Sequence, residues 1–308
     1  MGHQFETLTR SNLDDLIASF GCDGQRWLAP LLRLAFEAPA RKFARQMIAF
    51  DAAVRRHGEL GRASRSVLKD HYVRGLRVDG RDQAPTNGPA LFLANHPGLA
   101  DAISLIAAIN RPDLKIIALR RPFLEALQNV AAHLFFVDDN LGKRVILTHE
   151  VAAYLRSGGA VLSFPAGRIE PDPDVWSGAL QSLNTWADSA RFIVKFAPQT
   201  RIVPVLVQGV VWEKTARHWL TRIRRTRTER DKLAAALQLL SMVVHGTKPT
   251  TVNVRFAPPI LRAGDPLESE AIHQVVVGRM RRLIAEAADA GNTPNGPAPL
   301  RDKQPQPT

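Results

Sequence analysis

Apolar and polar positions recur along this chain in two rhythms, a helical one at the front and a strand–helix alternation after it. From Ser11 to Phe20, Leu13, Leu16, Ile17 and Phe20 share one helical face behind a Ser11 cap, and Gly21 closes the stretch. Trp27 to Arg56 reads as a longer helical region in which Leu28, Leu31, Leu32, Leu34, Phe36, Phe43, Met47, Ile48 and Phe50 alternate with arginines and Lys42. Pro39 is expected to break or kink it. From Tyr72 the period changes. Val73–Val78 alternates as a strand does, and Gly80–Pro89 is a polar connection rich in turn residues. Strand-like apolar runs then follow at Ala90–Ala94, Lys115–Leu119, Leu134–Val137, Ala160–Phe164, Ile202–Gln208 and Thr251–Phe256. Helical stretches separate or flank them at Ala100–Asn110, Pro122–Ala131, Lys143–Arg156, Ala179–Phe196 and Arg227–His245. Glu268–Ala290 reads as a last helix.

Near-continuous apolar strands between amphipathic helices predict an α/β fold, a mostly parallel sheet covered by helices and preceded by a helical N-terminal segment. The organisation expected is a helical segment over 1–75, an α/β domain over 76–290 and a disordered, proline-rich tail over 291–308. No internal repeat is visible. In such sheets ligands gather at the carboxyl ends of the strands.

Composition narrows the class. The 308 residues are 45% hydrophobic and 23% charged, which suits a globular fold. The single cysteine, Cys22, excludes an intramolecular disulfide and argues against a structural zinc site. Met1–Asp15 lacks the apolar core of a signal peptide. No apolar stretch reaches the ~18 residues that a bilayer span needs. The formal net charge of +12 favours polyanionic partners, whether anionic lipid, phosphorylated small molecules or nucleic acid, or is simply a solvated basic surface.

The candidate chemistry lies where Ala90–Ala94 ends, in Asn95-His96-Pro97-Gly98-Leu99-Ala100-Asp101. A strand end, a tight turn and a helix start allow His96 and Asp101 to face each other. An imidazole near its usual pKa of ~6.5 is a competent base at neutral pH, and a carboxylate orients it. With no serine nucleophile beside the pair, His96 would take the proton of a substrate hydroxyl, and that hydroxyl would attack an activated acyl group. The start of the next helix offers N–H groups for an oxyanion or phosphate. The bland alternative is that both residues cap the ends of their elements. The sequence has no Gly-x-Ser-x-Gly elbow, no Walker-type loop, no Gly-x-Gly-x-x-Gly after a strand and no His-Glu-x-x-His.

The same heptapeptide resembles the Asn-His-x4-Asp block of the glycerolipid acyltransferase family, the lysophosphatidic-acid acyltransferase type. Leu162-Ser163-Phe164-Pro165-Ala166-Gly167-Arg168-Ile169-Glu170-Pro171 resembles its Phe-Pro-Glu-Gly block, and Ile202-Val203-Pro204-Val205 its Val-Pro block. The resemblance spans about Leu91 to Gly209. It implies an O-acyltransferase that moves a fatty acyl group from an acyl thioester, acyl-CoA or acyl carrier protein, to a hydroxyl of a lysophospholipid or related lipid, with no bound cofactor or metal. His96 and Asp101 would be catalytic, and Asn95, Phe164, Pro165, Gly167 and Arg168 would bind substrate. The chain departs from the pattern in two blocks. The second block's arginine falls at Asp139, the third block's glutamate falls at Ala166, and the third block's arginine falls at Ile169, with Arg168 one position early. Arg168, with Lys143 or Arg144, is expected to replace the missing guanidinium groups, and the acceptor is expected to be less anionic than a glycerol phosphate.

Val210–Arg230 interleaves Trp212, Trp219, Leu220 and Ile223 with Lys214, Arg222, Arg224, Arg225 and other cations. Tryptophan with arginine suits a headgroup-level interface. The expectation is therefore a cytoplasmic protein, peripheral on the inner membrane face. Two other readings stay open: an altered family member that only binds lipid, and, with less support, a basic nucleic-acid-associated protein.

Overall fold

Ala90–Ala94 is apolar at every position because both of its faces are covered. A computed structural model describes residues 2–21, 29–98, 100–138, 140–260 and 271–291 of the chain. Its strands are β1 (Gly75–Asp79), β2 (Ala90–Ala94), β3 (Leu114–Leu119), β4 (Leu134–Val137), β5 (Ala160–Ser163), β6 (Arg201–Gln208) and β7 (Thr251–Phe256). Its α-helices are α1 (Gly2–Ser19), α2 (Ala29–His57), α3 (Leu60–Val67), α4 (Asp101–Ile109), α5 (Pro122–Glu125), α6 (Gln128–Ala131), α7 (Leu141–Arg156), α8 (Ala179–Ser182), α9 (Ser189–Phe196), α10 (Glu213–Ala216), α11 (Arg227–His245) and α12 (Ala271–Gly291).

The strands form one seven-stranded sheet in the order β1-β7-β6-β2-β5-β3-β4. The strands from β6 to β4 in that order are mutually parallel. β7 runs antiparallel to β6, and β1 parallel to β7. The mostly parallel sheet expected from the sequence is therefore present, with one antiparallel junction. The two-residue period of a strand sorts each one between two cores. Ala90, Phe92 and Ala94 of β2 pack with α2, α3, α4 and α11. Leu91 and Leu93 pack on the other face with α7, α9 and α12. Val161, Ile202 and Leu206 continue the second face, while Leu162, Val203 and Val205 continue the first.

Pro204 sits inside β6 without breaking the ladder. The carbonyls of Ile202 and Pro204 accept from Ile260 and Ala257, so the edge on which Pro204 lacks an N–H faces a segment that offers donors. The pairing of β6 with β7 begins only at Val205.

The front end packs directly on the sheet domain. Phe43, Ala44, Met47, Phe50 and Val54 of α2 share the core of β2 and β6. Asp51 accepts from the backbone N–H groups of Asn129 and Val130 and from the Asn129 amide, tying α2 to the start of α6. α1 begins well before the Ser11 cap expected from the sequence, because Leu8 is buried and Gln4 donates to the Ala126 carbonyl at 2.9 Å. α2 runs through Pro39 without a break. The turn before that proline is exposed, which leaves the unpaired carbonyl open to water.

Two expected helices are divided. Pro122–Ala131 becomes α5 and α6. Ala179–Phe196 stops at Trp186, whose ring nitrogen bonds Glu170 while the Ala187 N–H bonds the Pro165 carbonyl. Cys22, Leu99, Asp139, the first residues of the Glu268–Ala290 helix and the tail over 292–308 lie outside the described residues.

Candidate active site

The pair singled out in the sequence meets at the carboxyl edge of the sheet. β2 delivers His96 at its end, and Asp101 is the first residue of α4. His96 Nδ1 lies 2.6 Å from Asp101 Oδ2. Gly98 turns the chain between them at φ 150°, a conformation that glycine accepts readily, and its N–H donates to the same carboxylate oxygen at 2.9 Å. Ala102 N–H donates to Asp101 Oδ1. Asp101 is completely buried, whereas the His96 side chain keeps 31% of its exposure. His96 Nε2 has no hydrogen-bond partner among the described residues, and the Phe164 ring lies against the imidazole at 4.6 Å between centroids.

Burial pulls the His96 pKa down. The charge and hydrogen bond of Asp101, with the charge of Glu170, outweigh that, while Arg121 opposes them, and the net shift is upward. Of the N–H groups at the start of α4, expected to serve an oxyanion or phosphate, those of Asp101, Ala102 and Ser104 are already engaged. Gly98 and Ala102 serve Asp101, and Asp101 and Ser104 close the turn to Gly98 and Ala100.

Asn95 is buried, and its amide is bound to β6. Nδ2 donates to the Val207 carbonyl at 2.9 Å and Oδ1 accepts from Val207 N at 2.8 Å. These two bonds extend the β2–β6 pairing by one residue. Phe164 reaches the imidazole. Pro165 is buried and its carbonyl accepts from Ala187, whereas Gly167, at φ 61°, and Arg168 are exposed. Arg168 makes no hydrogen bond or ion pair among the described residues. Lys143 pairs with Asp138 at 3.7 Å, and Arg144 Nε donates to the Asp138 carbonyl. The structure thus places both beside Asp138, at the turn before α7.

Four further residues shape the site. Glu170 is buried and exchanges hydrogen bonds with the backbone of His96. Asp172, buried two residues on, collects the N–H groups of Asp174, Gly209, Val210 and Val211 and ties the β5 loop to the end of β6. Burial raises its pKa against those donors. Arg121, between β3 and α5, acts electrostatically on both His96 and Asp15 of α1. Trp176 helps wall a slot of about 20 Å³, room for about one water, with Pro97, Gly98, Ile169 and Val211. Glu170, inside the block, and Asp172, just after it, read in the sequence only as loop residues.

Among the described residues, no cluster of three or more histidine, cysteine or acidic side chains is placed to hold a metal ion. No helix among them is long and apolar enough to cross a membrane.

An imidazole oriented by a buried carboxylate, its outer nitrogen without a hydrogen-bond partner among the described residues, therefore stands at the carboxyl edge of the sheet. Residues 75–208 match the model of the Acyltransferase family. The stretch that carries His96 and Asp101 is thus an acyltransferase domain. The crystal structure of the 1-acyl-sn-glycerophosphate (LPA) acyltransferase PlsC from Thermotoga maritima is similar over 80% of this chain and 81% of that chain, at 19% identity and a TM-score of 0.41. No curated protein matches the chain significantly.

Proposed function

We propose that the protein is a lipid O-acyltransferase. It moves a fatty acyl group from an acyl thioester, on coenzyme A or acyl carrier protein, to a hydroxyl of a lysophospholipid or related lipid acceptor. The observation that carries this reading is the 2.6 Å contact of His96 Nδ1 with Asp101, which leaves Nε2 as the available base. The acceptor O–H gives its proton to Nε2 as its oxygen attacks the thioester carbonyl carbon. The tetrahedral intermediate collapses with cleavage of the C–S bond, and the departing thiolate takes the proton from the imidazolium. Asp101 holds the tautomer and balances the imidazolium charge. Phe164 flanks the imidazole, and Arg168 and Arg121 are the cations that face developing negative charge or an acidic headgroup.

The acceptor is proposed to be less anionic than a glycerol phosphate, because Asp139 stands where the family pattern has an arginine. Wild type and His96→Ala are incubated with acyl-thioester donors and a panel of lyso-lipids, and products are followed by mass spectrometry. Turnover by wild type alone supports the reading. Equal product from both proteins, or none from either, removes it.

With a lipid as acceptor, the reading extends to a peripheral membrane enzyme on the cytoplasmic side. Trp219 is 66% exposed and Ile223 57%, beside exposed Arg222 and Arg225. Arg224 is turned inward, paired with Glu229 at 2.8 Å and set against Gly21, so it does not share that surface. From Gly21 the Phe20–Phe36 stack leads to the α2 turn that exposes Leu31 and Leu34. Binding to anionic vesicles that is insensitive to salt and to Trp219→Ser/Arg222→Ala/Arg225→Ala would remove this surface.

A further inference from the structure

The imidazole is controlled by two carboxylates, and only one of them touches its ring. Glu170 Oε2 accepts from the backbone N–H of His96 at 3.0 Å, and the Glu170 backbone N–H donates to the His96 carbonyl at 2.8 Å. The other carboxylate oxygen, Oε1, is held by Trp186 Nε1 at 2.8 Å and lies 2.9 Å from Ser182 Oγ. Glu170 is therefore an acceptor at both oxygens, built into a wall made of the β5 loop and the α8–α9 connection. The break in that connection at Trp186 is what brings the indole N–H to it. On the opposite side, Asn95 is fixed to Val207. The residue that carries the base is thus clamped by its own backbone on one side and by its neighbour's side chain on the other.

We infer that Glu170 is a positioning residue that fixes the backbone of His96 and, as a second buried negative charge, sets the pH range in which His96 is a free base. Glu170 does not replace the glutamate absent at Ala166 by reaching substrate, since its oxygens are already engaged. The groups that act on the imidazole are Asp101 from α4, Glu170 from the β5 loop and Arg121 from between β3 and α5. The two carboxylates favour the imidazolium and the guanidinium disfavours it. Burial raises the Glu170 pKa, while Trp186, Ser182 and the His96 N–H favour its charged form.

The kinetic half of this inference rests on the acyl-transfer reading, and the titration half does not. The full-length protein is compared as wild type, Glu170→Gln and Trp186→Phe. His96 is titrated by NMR of the imidazole carbon resonances, with His96→Gln identifying its signals among the nine histidines. In Glu170→Gln the His96 midpoint falls, and the acid limb of kcat/KM moves to lower pH with it, because loss of the neighbouring charge frees the base earlier. The kcat falls roughly 10-fold to 100-fold at its optimum from misplacement of the imidazole, with a smaller change in KM. In Trp186→Phe, which removes one donor from the carboxylate, the midpoint moves in the same direction by less.

An unmoved His96 midpoint in folded Glu170→Gln, or a lowered kcat with the acid limb in place, overturns the inference and leaves Glu170 as scaffold. Should Glu170→Gln not fold, an unmoved midpoint in folded Trp186→Phe overturns it. If wild type shows no acyl transfer with any donor, the functional reading fails, and the titrations still decide the role of Glu170.

Discussion

At the amino edge of the sheet, Arg111 lies almost wholly buried just before β3. Its Nε and Nη2 bind Asp113 at 2.9 and 2.5 Å, Nη2 also reaches the Gly158 carbonyl at 3.0 Å, and Nη1 reaches that of Gly88 at 2.7 Å. One guanidinium thereby joins the entrances of β2, β3 and β5. At the carboxyl edge, His96, Asp101 and Glu170 join the exits of β2 and β5 to the start of α4. The two clusters resemble each other in burial and in the segments they tie. They differ in one atom. Each nitrogen of Arg111 has an acceptor, whereas His96 keeps Nε2 without a partner among the described residues and its side chain part-exposed. A fully satisfied buried ion holds strands together, and one with a free, titratable lone pair is available for chemistry.

The comparison breaks most easily at His96. His96→Ala is expected to lower acyl transfer at least about 1,000-fold while the melting temperature stays within a few degrees of wild type. A comparable loss of activity in Arg111→Ala at unchanged stability would erase the distinction between the two edges. Asp101→Asn comes next, with a loss of about 100-fold to 10,000-fold, because the amide no longer holds the tautomer or balances the imidazolium. It also removes a group that raises the His96 pKa, so the acid limb of kcat/KM should move to lower pH, the same direction as for Glu170→Gln.

The raised pKa has a stability consequence with a definite sign. The folded protein holds the His96 proton more tightly than the unfolded chain does. That stabilisation is fully present below the ordinary histidine pKa of ~6.5 and is lost as pH rises through the higher folded value. Melting curves of wild type and His96→Gln, measured from pH 5 to 8, should therefore converge as pH rises. A gap that widens with pH would contradict the upward shift.

How far the sequence carried this picture differs from part to part. β2, β4, β7 and α11 were legible to the residue, because Ala90–Ala94, Leu134–Val137 and Thr251–Phe256 are strand-like runs with clear limits, and Thr226 with Glu229 forms a capping box before α11. α3 and the π-helical turn after it (Leu68–Tyr72) were not. Leu60-Gly-Arg-Ala-Ser-Arg-Ser-Val67 reads as polar and small, and its buried face of Gly61, Ala63 and Ser64 has meaning only against α4. His96 and Asp101 were visible through their block. The role of Asn95 was not, since Val207 is distant in sequence, and Glu170 read as a loop residue until Trp186 and Ser182 were brought to it. Short-range spacing exposes a dyad, whereas the residues that hold it in place come from pairings that no local pattern records.

The smallest expected effect separates the edges by stability. Arg111→Ala removes the guanidinium that neutralises Asp113 and satisfies the carbonyls of Gly88 and Gly158. Asp113 itself is part-exposed, so water takes over some of its solvation, and the loss expected in urea unfolding is about 2–4 kcal/mol rather than the full penalty of an isolated buried charge. Arg111→Met retains much of the packing volume and should recover part of that loss without restoring the hydrogen bonds. In both variants kcat/KM of the folded fraction should change less than about threefold, because Arg111 binds the entrances of the strands and His96 stands at their exits. Stability lost at the amino edge with chemistry intact, against chemistry lost at the carboxyl edge with stability intact, is the pattern expected if the single free nitrogen on His96 is what distinguishes the two clusters.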